Sequence, residues 1–255
     1  MDLAALSVSR IDRVNLLTLV RAERYNAFTR AVLAELRVAI EATLTDDAVD
    51  AIVLVGSGRA FSAGQDLDEL VAELDLPAGG NDTRLRAGYG PLAELLHGAA
   101  KPVVAAVNGV AAGAGLAVAC LCATRVASTS ATFAPAFGDL GLVPDTGASL
   151  TIPALVGRAR ALRWFADGRR IGAATALAWG LVDAVVEPDD LLEEAVRTAS
   201  RLASRDQRSL AETMELVARA RDGDLSAALG RETAEQLAAT SRPEFSELVR
   251  SLRRR

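Results

Sequence analysis

An α/β fold is what this 255-residue sequence predicts, and three observations lead to that prediction. Short apolar runs bounded by turn residues alternate with longer segments in which apolar residues recur at helical spacing. Hydrophobic residues make up 51% of the chain and charged residues 24%, so a sizeable core can form. The length fits one large domain or one domain with an appendage. We therefore expect a core domain over residues 1–195 and a C-terminal helical region over residues 196–255.

The N-terminal half begins with two strands and continues with alternating helices and strands. The strands LSVSR and VNLLTLV are separated by the turn IDR, and Thr29 stands at the N-cap position of a helix that runs to Leu44. AIVLVGSG is a short apolar strand, after which FSAGQDL is a loop that opens a helix. PAGGND interrupts the chain before a further helix that ends near His97.

The C-terminal half opens on the buried strand KPVVAAVNG, whose proline is at the first position, where a missing N–H costs least. A glycine-rich turn, AAGAG, and an apolar helix come next. The remaining strands are TRVAS, ATFA and LVDAVV. From Asp145 onward most of the chain has helical spacing, and the last sixty residues have no other pattern.

Composition and charge argue against several classes of protein. A net charge of −5 argues against a nucleic-acid surface, and no run of ~18 uncharged apolar residues is present to cross a membrane. The N-terminus lacks the basic and apolar regions of a signal peptide, so we expect a cytoplasmic protein. Cys120 and Cys122 lie two apart in an apolar run, which favours neither a disulfide nor a metal site. We expect no metal ion in this protein.

Two glycine-rich loops carry the functional prediction. FSAGQDL and AAGAG each follow a short apolar strand and open a helix, which lets backbone N–H groups point at an anion or at a developing negative charge. Taken alone, the glycines of AAGAG could be half of a dinucleotide-binding fingerprint, or they could permit close packing. Two loops that each deliver one N–H to the same point would form an oxyanion hole.

Four segments in register resemble the crotonase (enoyl-CoA hydratase/isomerase) superfamily: RAERYNAF, GRAFSAGQDL, KPVVAAVNGVAAGAGLAVAC and GLVPDTGASLTIPALVGRARA. The resemblance implies a spiral of ββα units with a C-terminal helical trimerisation region, and a homotrimer or dimer of trimers. It also implies an acyl-CoA thioester as substrate, with no cofactor apart from the coenzyme A of that substrate. It places the oxyanion-hole donors at the backbone N–H groups of Gln65 and Ala114. The substrate-binding residues that it nominates are Arg24, Ala27, Ala63, Gly64, Asp66, Leu67, Gly113 and Phe137.

A single acidic residue decides which reaction the resemblance implies. Hydratases of this superfamily use two glutamates, and the matching positions here are Ala117 and Phe137. Asp145 stands where double-bond isomerases of the superfamily keep their one carboxylate, and GLVPD looks most like the phenylacetate-pathway branch. The resemblance therefore implies an isomerase of 3-enoyl-CoA or ring-epoxide thioesters with Asp145 as its base.

Other interpretations stay open at this point. A hydratase or lyase could use Asp145 or Asp139 with a differently placed water, and a member without either glutamate could bind acyl-CoA without turning it over. An aryl-CoA dehalogenase would use an aspartate here as nucleophile, but it also needs a histidine base, and the chain's one histidine is His97. Asp145 could also be no more than the N-cap of the helix that follows it.

Overall fold

The computed structural model describes residues 4–74, 84–205, 207–221, 225–241 and 243–253, and a six-stranded sheet lies at its centre. Its strands are β1 (Leu6–Ile11), β2 (Val14–Leu19), β3 (Ala51–Gly56), β5 (Val103–Val107), β7 (Thr124–Ser128) and β10 (Ala184–Val186). They lie in the order β1-β2-β3-β5-β7-β10, and all neighbours are parallel except the antiparallel pair β1 and β2. Each of these strands falls in a segment where the sequence predicts one.

A second, smaller sheet is where the structure departs from the sequence-based expectation. Its strands are β4 (Ala60–Ser62), β6 (Val110–Ala112), β8 (Thr132–Ala134) and β9 (Ile171–Gly172), in the order β4-β6-β8-β9. Only β8 is predicted from the sequence. Strands β4 and β6 run directly into the two glycine loops and show no separate pattern, and β9 has two residues. In three successive units the chain gives one strand to the large sheet and the next to the small sheet before a helix: β3 with β4, β5 with β6, and β7 with β8. This alternation confirms the expected spiral of ββα units.

Helices surround the two sheets. Helix α1 (Arg30–Leu44) begins as predicted, because the Thr29 hydroxyl accepts the N–H of Val32 at 3.2 Å. The helices after it are α2 (Leu67–Leu74), a π-helix (Arg84–Tyr89), α3 (Gly90–His97), α4 (Ala114–Leu121), α5 (Ala148–Val156), α6 (Arg158–Asp167), α7 (Ala173–Trp179), α8 (Leu191–Ala203), α9 (Gln207–Arg221), α10 (Leu225–Thr240) and α11 (Pro243–Arg253). The predicted break PAGGND lies outside the described residues.

Both faces of the six-stranded sheet are buried, as a largely parallel sheet requires. Helices α1, α3 and α4 cover one face together with Cys120 and Cys122, and burial raises the pKa of both thiols to about 12. Helix α8 covers the other face with Leu191, Ala195 and Ala199. The expected division between residues 195 and 196 falls inside α8.

The last two helices return to the region of the two glycine loops. Helix α10 packs on α5, and α11 packs on α2, where Phe245 and Val249 contact Leu70 and Val71. The C-terminal helices therefore form part of the surroundings of the predicted site. None of the helices in the described ranges is long and apolar enough to span a lipid bilayer.

Candidate active site

A cavity of about 660 Å³ lies between the two glycine loops, the π-helix and the segment 136–145. Asp145, Gln65 and Ala114, the three residues predicted for catalysis, all line it. So do seven of the residues predicted for substrate binding: Arg24, Ala27, Ala63, Asp66, Leu67, Gly113 and Phe137. Gly64 is buried beside these residues and is not part of the cavity wall.

The two glycine loops contact each other through their backbones, at positions that only glycine fits. Gly64 has a φ of +87°, and a Cβ there would lie 2.7 Å from the carbonyl oxygen of Ala112 and 3.1 Å from the nitrogen of Ala114. A Cβ on Gly115 would lie 2.3 Å from the carbonyl oxygen of Ser62. The glycines therefore let the two strand-to-helix turns approach within direct backbone contact.

This contact places two backbone donors on one cavity. Around the first loop, the N–H of Gly64 donates to Ser62 Oγ at 3.1 Å and the N–H of Asp66 donates to the Phe28 carbonyl at 2.9 Å. Between them, the N–H of Gln65 has no acceptor within the described part of the chain. Ala114 is the first residue of α4, so its N–H has no carbonyl one turn earlier to accept it within the helix. Both groups are available to an oxygen atom of a ligand.

Asp145 is a buried carboxyl group with two side-chain partners. It is 8% exposed; Thr146 Oγ1 donates to Oδ1 at 2.9 Å and Gln236 Nε2 donates to Oδ2 at 2.7 Å. Burial raises the pKa of Asp145, while these two hydrogen bonds and the charge of Arg84 oppose that rise. A carboxylate with a raised pKa inside a ligand-sized cavity is suited to accept a proton.

The turn that presents Asp145 is held from the C-terminal helix α10. Thr146 and Gly147 have φ values of +55° and +79°, and the N–H of Ala148 closes the turn on the Asp145 carbonyl at 2.9 Å. A β-branched residue with positive φ is strained, so the surroundings must hold it in place. Glu232 does so, because its carboxylate accepts the N–H groups of Gly147 at 2.8 Å and Ser149 at 2.9 Å.

Glu232, not Asp145, therefore satisfies the N-terminus of α5, and the N-cap interpretation of Asp145 is wrong. Among the described residues, the carboxylate of Asp145 accepts hydrogen bonds from side chains and from no backbone N–H, whereas an N-cap accepts backbone N–H groups of its own helix. Gln236, on the same helix as Glu232, also accepts the N–H of Val143 at 3.0 Å and donates to its carbonyl at 3.1 Å. The sequence gives no sign of either residue, because their partners are more than eighty positions away.

The mouth of the cavity is charged. Asp66 is 3% exposed; it accepts the N–H groups of Asp68 and Glu69, which caps α2, and it pairs with Arg21 at 3.1 Å. Arg24 is exposed, lies 3.8 Å from Asp66 and pairs with Asp68. Asp66 thus has a structural role in this cluster, and Arg24 is the more accessible charge.

The positions that carry glutamates in hydratases are apolar here in structure as well as in sequence. Ala117 is completely buried in α4, away from the cavity lining. Phe137 lines the cavity and packs on Phe165, with ring centroids 6.5 Å apart. Asp139 is exposed and also lines the cavity, so it is the remaining acid on this segment. His97 is on α3 and does not line the cavity.

Two of the lining residues that the sequence analysis did not identify lie in the segment before α3, which has no recognisable motif. Arg84 and Tyr89 are the two ends of the π-helix and are 4% and 2% exposed. Tyr89 donates its hydroxyl to Gln65 Oε1 at 2.8 Å, so it fixes the side chain beside one of the two backbone donors. Arg84 Nη1 donates to Glu73 Oε2 at 2.9 Å. Within the described ranges, no cluster of three or more His, Cys, Asp or Glu side chains could hold a metal ion.

Comparison with known proteins agrees with the fold. Residues 10–249 match the family described as enoyl-CoA hydratase/isomerase. The chain is 37% identical over 199 residues to 1,2-epoxyphenylacetyl-CoA isomerase of Escherichia coli strain K12, and the aligned region covers 78% of this chain and 76% of that protein. It is 30% identical over 253 residues to 4-chlorobenzoyl coenzyme A dehalogenase-2 of an Arthrobacter species, and the aligned region covers 97% of this chain and 90% of that protein.

Solved structures lead to the same family. The chain superposes on the crystal structure of an enoyl-CoA hydratase from Mycobacterium avium subsp. paratuberculosis K-10 with a TM-score of 0.86 and 34% identity, over 99% of this chain and 97% of that one. The chain therefore belongs to the enoyl-CoA hydratase/isomerase family. It is an acyl-CoA-processing enzyme of the crotonase superfamily, whose relatives carry the names of isomerases, hydratases and dehalogenases.

Proposed function

We propose that this enzyme is an acyl-CoA isomerase that moves the double bond of a 3-enoyl-CoA into conjugation with the thioester. The observation that carries the proposal is the buried carboxylate of Asp145 on the cavity wall, together with Ala117 and Phe137 at the two positions where hydratases have glutamates. A double-bond shift moves one proton within the substrate, so one group that takes and returns it is enough.

The two glycine loops supply the electrostatic part of the mechanism. The N–H groups of Gln65 and Ala114 donate to the thioester oxygen and hold it as it gains negative charge. Because they are backbone groups in a close-packed turn, they need no rearrangement when the charge develops. Asp145 removes a proton from C2, and the electron pair spreads over the dienolate. The protonated Asp145 then delivers the same proton to C4, and the double bond is left between C2 and C3.

Ordinary hydration is harder to build from these residues. Addition of water needs a base for the water and an acid for the α-carbon, and Ala117 and Phe137 can supply neither. Asp139 lines the same cavity, so a hydratase that used Asp139 and Asp145 together is the second candidate. The similarity to 1,2-epoxyphenylacetyl-CoA isomerase favours isomerisation and adds ring-epoxide thioesters to the substrates worth testing.

The test is the turnover of the purified enzyme with a panel of thioesters. We expect 3-hexenoyl-CoA to be converted to 2-hexenoyl-CoA far faster than 2-hexenoyl-CoA is hydrated. A ring-epoxide thioester is assayed beside them. Hydration as fast as isomerisation would favour the second candidate. Tight binding of acyl-CoA without turnover of any thioester would contradict both candidates and leave a binding protein.

A further inference from the structure

One side chain of the C-terminal region contacts the proposed base directly. Gln236, on α10, is completely buried, and its Nε2 donates to Asp145 Oδ2 at 2.7 Å. The two residues are 91 positions apart, so the contact depends on the packing of α10 beside the turn at Asp145. A buried amide costs free energy unless its donors and its acceptor are paired. Every partner of Gln236 among the described residues belongs to Val143 or Asp145.

The backbone of Val143 fixes the orientation of the Gln236 amide. The N–H of Val143 donates to Oε1 at 3.0 Å, and Nε2 donates to the Val143 carbonyl at 3.1 Å as well as to Asp145. A flipped amide would point its NH₂ group at the Val143 N–H and its oxygen at a carbonyl and a carboxylate. All of those contacts would be repulsive, so the group that faces Asp145 is a donor in both protonation states of the carboxyl group.

The two oxygens of Asp145 therefore have unequal partners. Oδ2 faces an amide N–H group, which can donate a hydrogen bond and cannot accept one. Oδ1 accepts from the hydroxyl of Thr146 at 2.9 Å, and a hydroxyl can turn and accept instead. When the carboxylate takes up a proton, Oδ1 can become the hydroxyl oxygen and keep Thr146 as its partner. Protonation of Oδ2 would weaken its bond to Gln236, because a hydroxyl oxygen is a poorer acceptor than a carbonyl oxygen.

The carboxyl group has little freedom to exchange the roles of its two oxygens. Hydrogen bonds to both oxygens, from Thr146 in the turn and from Gln236 on α10, resist rotation about the Cβ–Cγ bond of Asp145. Glu232, which holds the backbone of the turn, is four residues before Gln236 and thus on the same face of α10. One face of this helix therefore holds both the turn and the side chain of the base.

We propose that Gln236 is a positioning residue that keeps Asp145 Oδ2 as a hydrogen-bond acceptor throughout turnover, so that Oδ1 takes the proton from C2 and returns it to C4. The inference rests on the proposed function, because it takes Asp145 as the base and a 3-enoyl-CoA as substrate. In the first step the C2–H bond breaks, an O–H bond forms on Oδ1, and the electron pair enters the dienolate. In the second step the O–H bond breaks, a C4–H bond forms, and Asp145 is a carboxylate again.

The fate of the transferred hydrogen tests the part of Gln236 in turnover. The substrate is 3-hexenoyl-CoA deuterated at C2, the solvent is ordinary water, and NMR of the product gives the fraction of deuterium delivered to C4. Wild-type product should carry deuterium at C4. Gln236→Leu should lower kcat by roughly 10-fold or more, the effect of one hydrogen bond to a charged group, and leave KM unchanged. It should also lower the retained fraction, because a carboxyl group that rotates freely exchanges its proton with water before returning it.

The retained fraction separates positioning from structural damage, since a smaller amount of folded enzyme lowers kcat and leaves that fraction unchanged. Gln236→Glu keeps an acceptor for the Val143 N–H and loses the donor to Asp145, so it should act as Gln236→Leu does. The matched control is Gln207→Leu, at the start of α9, where the glutamine bonds the Ala203 carbonyl and does not line the cavity. This control should keep the wild-type kcat and retention. Wild-type product without deuterium at C4, or retention that survives both Gln236 substitutions, would refute the assignment.

Infrared spectroscopy of the free enzyme tests the assignment of the two oxygens without any turnover. A pH-difference spectrum shows the C=O stretch of protonated Asp145, and the Asp145→Asn spectrum identifies that band. Gln236→Leu should move the band to higher wavenumber, because the carbonyl oxygen loses its donor, and Thr146→Val should not. A shift in Thr146→Val without one in Gln236→Leu would overturn the proposal. The expected band shifts in an enzyme that does not isomerise 3-hexenoyl-CoA would overturn only the proposed reaction.

Discussion

Gly64→Ala tests whether the contact between the glycine loops forms the oxyanion hole. The added Cβ would lie 2.7 Å from the Ala112 carbonyl oxygen and 3.1 Å from the Ala114 nitrogen, and both are backbone atoms that cannot rotate away. The loops must therefore separate, which moves the Ala114 N–H away from the thioester oxygen. Loss of one such donor costs about 10²–10³ in rate. The φ of +87° adds about 1–2 kcal/mol of backbone strain for a non-glycine residue.

Gly157→Ala is the matched control for strain. Gly157 has a φ of +84°, but a Cβ there would have no heavy atom within 4 Å, and the residue lies outside the cavity. Thermal unfolding should show both variants destabilised by a comparable strain, with a further loss at Gly64 from the clash. The kcat for isomerisation of 3-hexenoyl-CoA should fall only in Gly64→Ala. A folded Gly64→Ala enzyme with kcat within twofold of the wild type would refute the placement of the hole.

Three further predictions concern the titration of Asp145 and the assembly of the enzyme. Burial raises the pKa of Asp145 and the base acts only when ionised, so activity should fall as pH decreases through that raised pKa. Gln236→Leu removes a hydrogen bond that lowers the pKa of Asp145. The acid limb of the pH–rate profile should therefore move to higher pH in this variant. The pKa of Asp145 is ~3.9 in the unfolded chain and higher in the folded protein, so ionisation of this group lowers the stability of the fold as pH rises through that interval. Asp145→Asn should therefore raise Tm at pH 8. At about pH 3 the carboxyl group is protonated in both states, and the substitution should leave Tm unchanged. Sedimentation should show a homotrimer or a dimer of trimers, and a stable monomer of the 26.6 kDa chain at micromolar concentration would contradict this.

The elements that the sequence predicts are those whose apolar pattern is distinct from the neighbouring loops. All six strands of the large sheet and the capped helix at Thr29 belong to this group. In the small sheet only β8 does, because β4 and β6 run directly into the glycine loops and β9 has two residues. Yet β4 and β6 are the strands from which the two glycine loops leave. The motifs thus predicted the loops without predicting the sheet that brings them together.

The residues of the candidate site also fall into a group that the sequence predicts and a group that it does not. Motif spacing led to Gln65, Ala114 and Asp145, which the structure brings to one cavity. It could not lead to Glu232 and Gln236, because their role depends on how α10 packs against the turn at Asp145. The N-cap alternative for Asp145 was equally good by local pattern, and only the tertiary position of Glu232 excludes it. Arg84 was missed because a lone arginine in a segment without a motif carries no signal.

The most direct measurement of the central claim is the rate of 3-hexenoyl-CoA isomerisation by Asp145→Asn, followed by the absorbance of the conjugated product. Asparagine keeps the shape of the side chain and cannot take a proton, so the rate should fall at least ~10²-fold, the lower end for general base catalysis. Asp139→Asn makes the same chemical change at an exposed position of the same cavity and should retain most of the activity. Isomerisation that survives Asp145→Asn, or fast hydration of crotonyl-CoA that survives it, would contradict the account and direct the search for the base to Asp139.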